Sequence, residues 1–385
     1  MSGPNSYRPT VARVDLAALR HNVAVVREHL PAVESQLMAA VKADAYGHGL
    51  VPVARVLAEE GVHWFGVAIV EEGLKLRDAG LEQNILVLGG FLEGSHEVGL
   101  DAGLCPVLYT LEDATLLQRL ARERGEAVQV HLKVDTGMNR LGVPLSQLGE
   151  FLDLLDRCPD LVVDGVLTHL PDAENPDSAF TDSQFHRFDE AVREIRSRGH
   201  EPRWIHSANS AALMMDRHPD LQIRTNLYRP GISLYGQAPA SVLARGWPLQ
   251  PVLSLHTAVS FVKTVPAGAR LSYGLTWEAR RTSRIATLPV GYGDGYPRAL
   301  GNRAHALVCG QRVPVVGRVC MDLTLLDVTE VPEVRVGEPV VLIGTQNQAE
   351  VTVDELAIAL DTISYEVLCG IGSRVPRQYR DETRD

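Results

Sequence analysis

Gln36-Leu-Met-Ala-Ala-Val-Lys42-Ala-Asp-Ala-Tyr46-Gly-His-Gly49 opens with a short apolar run, closes on a polar turn containing glycine, and leads into an amphipathic pattern over 50–60. An apolar run of that length reads as a strand buried on both faces. The pattern behind it reads as a helix that covers one face. The same alternation recurs down the chain. Apolar runs at 36–42, 64–70, 84–89, 104–109, 128–134, 162–169, 203–208 and 227–235 are interleaved with helical patterns, among them 50–60, 71–79, 111–124, 146–157 and 183–198. Eight strand–helix units in roughly 230 residues predict an α/β fold, a (β/α)8 TIM barrel. An open doubly wound sheet alternates too, and the count of eight favours the barrel. Upstream, Asp15 opens a helix with apolar positions at Leu16, Leu19, Val23, Val26 and Leu30, which Pro31 stops.

Beyond about residue 245 the helical periodicity fades. Short strand-like runs appear at 252–264, 284–290, 305–309, 312–317, 323–328 and 338–344, punctuated by Gly and Pro, with a helix candidate at 354–360. The expected division is a barrel over 1–245 and a C-terminal mostly-β domain over 246–385.

The 385 residues are 45 % apolar and 22 % charged, as in ordinary globular proteins. A net charge of −11 without a dense Lys/Arg run argues against nucleic-acid binding. No apolar stretch is long enough to span a bilayer, and the polar segment from Met1 to Pro9 lacks the apolar centre of a signal peptide. Five scattered cysteines (Cys105, Cys158, Cys309, Cys320 and Cys369) form neither a disulfide frame nor a zinc motif, so a reducing cytoplasm is expected. His169 and His206 come without clustered metal-ligand spacing, so no metal is expected.

Functional groups of a barrel gather at the C-terminal ends of its strands. Lys42 ends the first run. Lys133, Asp135 and Arg140 come after the fifth, and His169 ends the sixth. Asn209 and Ser210 come after the seventh and open a helix, while Arg229, Pro230, Gly231 and Ile232 lie on or just after the eighth. An amine emerging from an apolar strand into a partly dry mouth loses basicity and can form a Schiff base; a rim lysine in water fits the same position. Barrels often hold phosphate with the loops after strands seven and eight and a helix N-terminus. Ser210, the amides after it, and Gly231 suit that role, although Asn209 and Ser210 equally suit a plain helix cap. Two such sites at adjacent strands, opposite a candidate Schiff-base lysine, favour a phosphorylated cofactor.

The same residues carry a family resemblance. Val-Lys-Ala-Asp-Ala-Tyr-Gly-His-Gly at 41–49 resembles the pyridoxal-phosphate lysine signature of bacterial alanine racemases. Six further segments resemble that family in order: 133–142 (Lys-Val-Asp-Thr-Gly-Met-Asn-Arg-Leu-Gly), 206–212 (His-Ser-Ala-Asn-Ser-Ala-Ala), 229–236 (Arg-Pro-Gly-Ile-Ser-Leu-Tyr-Gly), 272–274 (Ser-Tyr-Gly), 317–322 (Gly-Arg-Val-Cys-Met-Asp) and Tyr-Glu-Val at 365–367. The resemblance covers nearly the whole chain.

It implies that Lys42 binds pyridoxal 5′-phosphate and acts as one catalytic base, and that Tyr273, reaching in from a partner subunit, is the other. Racemisation removes a Cα proton from one face and returns one to the other, so two bases on opposite faces suit it. A tyrosine with its ordinary pKa of about 10 needs cationic or hydrogen-bonding neighbours for this work, and His169 and Arg229 match. The resemblance sets Arg229 against the pyridine nitrogen, where a permanently protonated group leaves the ring unprotonated. It also implies that Tyr46, Ser210, Gly231, Ile232 and Tyr365 surround the phosphate, with Asn209 nearby. Arg140 and the partner's Met321 backbone are expected at the substrate carboxylate. Lys133 matches a lysine often carbamylated in the family, and Tyr292, Arg298, Arg318, Asp322 and Ile363 match an access corridor. An obligate homodimer acting on a small amino acid, and supplying D-alanine for peptidoglycan, completes the expectation.

The chain departs from the family pattern in three places. Leu-Pro-Asp-Ala-Glu comes after His169 where Phe-Ala-x-Ala-Asp is expected, Leu323 stands where a polar residue is common, and Pro230 removes a backbone donor. Rival readings are a racemase of wider specificity and a decarboxylase of the same two-domain plan, which typically sets a glutamate at the pyridine nitrogen. A non-catalytic binder of the cofactor, usually without the β domain, and a metal hydrolase are more distant.

Overall fold

The structure is a computed structural model that describes residues 7–215 and 224–381. The chain forms two compact units. One comprises Leu19–Ala45 with Leu50–Gln250, and the other the described parts of Met1–Ala18 and Pro251–Asp385 together with Tyr46–Gly49. The second unit thus takes two segments that the sequence division at 245 assigned to the barrel.

In the first unit eight parallel strands succeed one another in chain order: Gln36–Ala40, Trp64–Val67, Asn84–Val87, Cys105–Leu108, Val128–Asp135, Leu161–Leu167, Trp204–His206 and Leu227–Tyr228. Leu227 and Tyr228 return to pair with Gln36 and Leu37. The remaining gap, between the seventh and eighth strands, is spanned by a parallel bridge of Asn209 and Arg229, by Asn226 N–H to Ile205 O at 2.9 Å and by Arg229 N–H to Ala208 O at 3.0 Å. The result is the near-closed barrel the eightfold alternation predicts. Parallel strands covered by helices need apolar side chains on both faces, and Met38, Trp64, Leu86, Val107, Leu167, Trp204 and Leu227 pack together.

Every helix read from the sequence is present, including Leu50–Glu59, Leu111–Arg124 and Ala179–Ser197. Thr110 and Ser178 cap the last two by accepting from Asp113 N–H and Thr181 N–H. The sequence reading missed the short helix His96–Asp101. It also ran the eighth strand too far: Pro230 has no amide to donate, and Ile232–Tyr235 wind into a 3-10 turn.

In the second unit Val11–Asp15 pairs antiparallel with Leu253–Ala258 and parallel with Arg377–Arg380. The sheet continues through Pro339–Gln346 and His305–Val308 to Gln311–Pro314. A three-stranded sheet joins Phe261–Val265, Ser283–Leu288 and Thr324–Asp327. The single apolar run at 252–264 is therefore two strands in two sheets. Thr352 caps the helix Val353–Leu360, and Ser364–Cys369 forms a further helix that the sequence reading did not find. Among the described residues no helix is long and apolar enough to cross a membrane.

Candidate functional site

Lys42 lies just past the first barrel strand, where Val41 N–H extends the ladder to Gly66 O at 3.0 Å. The turn beyond it has an unusual backbone: Ala43, Asp44, Ala45 and Tyr46 all have φ of 54° or 55°. Four consecutive non-glycine residues in the left-handed region cost roughly 1–2 kcal/mol each. Such a turn persists only where its surroundings hold it, and backbone strain of this kind clusters at functional sites. Among the bonds that hold it are Ala45 N–H to Val41 O at 2.8 Å, Leu50 N–H to Asp44 Oδ1 at 2.8 Å, and Ala43 N–H to Glu72 Oε1 at 2.6 Å.

The same end of the barrel collects cations. Lys133 is buried, and its pKa is pushed down to about 8, chiefly by desolvation and then by the charges of Arg229, Arg140 and Lys42. His169 is held well below its ordinary value by burial and by the same cations with Lys133. The sequence-predicted Lys42, Lys133, Arg140, His169 and Arg229 are therefore one electrostatic cluster. Asp135 is the carboxylate that acts on Lys133. A mouth so rich in positive charge suits an anionic guest.

Arg229 is anchored from several sides. Its Nη1 donates to His206 O at 2.5 Å and lies 3.2 Å from His206 Nδ1. Nη2 donates to Thr168 O at 2.7 Å and Ser207 O at 3.1 Å, and lies 3.4 Å from His169 Nδ1. Burial lowers its pKa to about 10, which leaves the guanidinium charged near neutrality. Behind it, His206 Nε2 is 2.8 Å from His131 Nδ1, and His131, held neutral by burial and by Arg229, has a pKa of about 3. Sequence reasoning missed His131. Its signal was alternation, since it sits two residues before Lys133 on the strand Val128–Asp135 and so faces the same side.

Ser210 and Gly231 lie together: Gly231 N–H donates to Ser210 Oγ at 2.9 Å, and Ser233 Oγ donates to it at 3.1 Å. Ile232 opens the adjacent 3-10 turn. Asn209 caps the helix Ser210–Met214 by accepting from Ala212 N–H at 3.0 Å, and its amide donates to Leu170 O at 3.1 Å. The capping reading of Asn209 thus holds, and the cap also fixes the loop behind His169.

In the second unit the rings of Tyr46 and Tyr365 lie 5.9 Å apart. Burial, Tyr365 and Cys369 raise the pKa of the Tyr46 phenol, so it stays a neutral hydrogen-bonding group. Tyr273 is 70 % exposed on a tight loop with Ser272 at φ 61° and Gly274 at φ 71°. Ser272 Oγ donates to Arg318 O at 2.6 Å and lies 3.5 Å from Cys320 Sγ. A Cβ on Gly317 would come within 2.7 Å of Ser272 Cβ, so that approach requires glycine. Met321 is exposed next to Tyr292: Tyr292 N–H bonds Cys320 O and Gly293 N–H bonds Met321 O. Asp322 pairs with Arg374 at 2.8 Å. Arg298 opens a short 3-10 turn and Ile363 is exposed.

The barrel residues fit pyridoxal phosphate by their chemistry. The cluster offers an amine at Lys42, a protonated guanidinium with no carboxylate partner among the described residues at Arg229, and a surplus of positive charge for phosphate and carboxylate. Among the described residues no three His, Cys, Asp or Glu side chains gather as metal ligands.

Comparison with known proteins agrees with this geometry. Residues 14–239 match the family model "Alanine racemase, N-terminal domain" and residues 252–379 match "Alanine racemase, C-terminal domain". The chain is 46 % identical to an alanine racemase of Symbiobacterium thermophilum over 98 % of this chain and 99 % of the relative. It is 42 % identical to one of Halothermothrix orenii over 97 % and 98 %. The crystal structure of an alanine racemase from Bacillus anthracis with bound L-Ala-P superposes with a TM-score of 0.90 at 35 % identity, covering 98 % of this chain and 96 % of that one. The chain belongs to the alanine racemase family.

Proposed function

We propose that this protein racemises alanine with pyridoxal 5′-phosphate, and that Lys42 and the Tyr273 of a second subunit are its two bases. The observation that carries the reading is the cation cluster built around Arg229, whose guanidinium is set by carbonyls and a neutral histidine rather than by a carboxylate. A decarboxylase of the same plan typically sets a glutamate at the position proposed for Arg229, which argues against that reading.

The residues that would hold the cofactor are Lys42 through its amine, Arg229 at the ring nitrogen, and Ser210, Gly231 and Ile232 at the phosphate, with Tyr46 and Tyr365 assigned there by the family. When bound, the cofactor supplies a conjugated ring that draws electron density from the substrate Cα–H bond. Arg140 would orient the substrate carboxylate, assisted by the Met321 backbone of the second subunit. Tyr273 Oη takes the Cα proton of L-alanine while Lys42 Nζ delivers one to the opposite face, and the roles reverse for D-alanine. Arg229 stays protonated and offers the ring no proton, which limits competing chemistry such as transamination. Lys133, with its pKa lowered to about 8, is neutral in a larger fraction than an ordinary lysine, as carbamylation requires, and the carbamate would give Arg140 an anionic partner. Tyr292, Arg298, Arg318, Asp322 and Ile363 are proposed to line the corridor to the site.

Exposed Tyr273, Leu275, Tyr292, Met321 and Leu323 support a homodimer, because exposed apolar side chains in one region mark an association surface. A cytoplasmic enzyme supplying D-alanine for peptidoglycan is the role the family suggests.

The test offers L-alanine, L-serine and L-ornithine separately to protein loaded with pyridoxal phosphate, scoring D-product and carbon dioxide together. D-alanine formed fastest without carbon dioxide is the expected result. Carbon dioxide release would move the protein to the decarboxylases, and faster D-serine or D-ornithine would overturn the substrate while keeping the chemistry.

A further inference from the structure

We propose that Glu72 is a positioning residue for Lys42, acting through the left-handed turn on its C-terminal side. This rests on the reading of Lys42 as the cofactor lysine. Glu72 lies in the first turn of the helix Val70–Asp78, after the next barrel strand, and its two carboxylate oxygens serve different segments. Oε2 accepts Ala68 N–H at 2.8 Å, closing the start of its own helix, whose N-cap Ile69 offers no side-chain acceptor. Oε1 accepts Ala43 N–H at 2.6 Å, across to the neighbouring strand end.

The amide of Ala43 belongs to the peptide group whose carbonyl is that of Lys42. A peptide group is planar, so holding its N–H constrains the ψ of Lys42 and with it the direction in which the Cα–Cβ bond leaves the backbone. The next four residues are all left-handed without being glycine, so the turn would relax toward ordinary conformations unless held. Ala45 N–H to Val41 O and Leu50 N–H to Asp44 Oδ1 are bonds within the segment. Glu72 braces the turn from another strand–helix unit. Bonds from amides to a carboxylate are short and strong, which suits a brace against strain. Glu72 also places negative charge at a helix N-terminus, and the test must separate that role.

Glu72→Asp keeps the charge but is one methylene too short to reach both amides. Glu72→Ala removes charge and brace together. Ala43→Gly in the Glu72→Ala background removes the steric penalty for left-handed backbone at that position. Each variant would be titrated with pyridoxal phosphate, reading the visible absorption and circular dichroism of the lysine-bound chromophore, and then assayed for kcat and KM with alanine. The expected result is weaker cofactor loading and altered visible dichroism in both Glu72 variants. In both, kcat is expected to fall about tenfold to a hundredfold, as for a displaced catalytic group, with KM changed less. Ala43→Gly should recover part of the loss. Dichroism and kcat of Glu72→Asp equal to wild type would overturn the proposal, as would a folded Glu72→Ala variant that Ala43→Gly does not improve. Should Glu72→Ala fail to fold, Glu72→Asp alone decides. A wild-type protein that forms no chromophore lost on Lys42→Ala would instead refute the reading of Lys42.

Discussion

His206 Nδ1 lies 3.2 Å from Arg229 Nη1, and this contact sets the direction of a hydrogen-bonded chain through the barrel. A guanidinium only donates, so His206 Nδ1 accepts. Its proton is then on Nε2, which donates to His131 Nδ1 at 2.8 Å. His131 in turn carries its proton on Nε2, which faces Asp164 Oδ2 at 3.9 Å. Both imidazoles are neutral, because burial and Arg229 disfavour their charged forms. Arg229 therefore keeps its charge while its orientation is set by neutral acceptors.

If that chain orients Arg229, His206→Phe should damage turnover more than binding. The ring volume is roughly kept, but Nη1 loses the Nδ1 acceptor and keeps only the backbone carbonyl of residue 206. We expect kcat for alanine to fall by about tenfold, with KM less affected. Steady-state kinetics on protein saturated with cofactor decide, and an unchanged kcat would show that the carbonyls alone suffice.

Acid should unfold the protein partly through His131. Its pKa is about 3 when folded against about 6.5 when unfolded. Between those values the unfolded chain binds the extra proton, so stability falls as pH falls, by about 1.4 kcal/mol for each pH unit from this group. Denaturant unfolding from pH 6 to pH 4 should show a slope of at least that size, to which His206 and His169 add, and His131→Asn should reduce it. An equal slope in the variant would contradict a neutral buried His131.

Arg229→Lys is expected to destabilise the fold by about 2 kcal/mol or more, because an ammonium cannot satisfy the carbonyls of Thr168, His206 and Ser207 together. Urea unfolding of the cofactor-free protein measures it. A neutral substitution would mean that the carbonyls find other donors.

Gly165 tests the packing behind the chain. A Cβ there would lie 2.5 Å from His131 Nδ1. Gly165→Ala must push the imidazole away from His206, and overpacking of this kind costs about 1–3 kcal/mol. The loss should appear in thermal unfolding, together with reduced kcat; stability kept at the wild-type value would mean that the ring has room to move.

The barrel was legible because parallel strands under helices leave near-continuous apolar runs, and eight of them can be counted. Val11–Asp15 was not legible as a strand. Its partners begin at Leu253 and Arg377, and five residues with two charges carry no pattern that points to them. The candidate residues, from Lys42 to Arg229, stand at strand ends and so could be picked out by position. The groups that support them did not show. Left-handed backbone is ordinarily read from glycine, and Ala43, Asp44 and Ala45 give no such sign. Glu72 and His131 act through contacts to other strands, which neither residue's local sequence announces.

Mixing two inactive variants tests most directly the proposal that one site draws Lys42 from one subunit and Tyr273 from another. Lys42→Ala and Tyr273→Ala would be purified separately, shown to be inactive, and allowed to exchange subunits with heterodimers verified by differential tags. Random exchange of equal amounts should restore about a quarter of the wild-type sites, since each heterodimer holds one complete pair. D-alanine production near that level is the predicted result. Verified heterodimers that remain inactive would contradict the shared site.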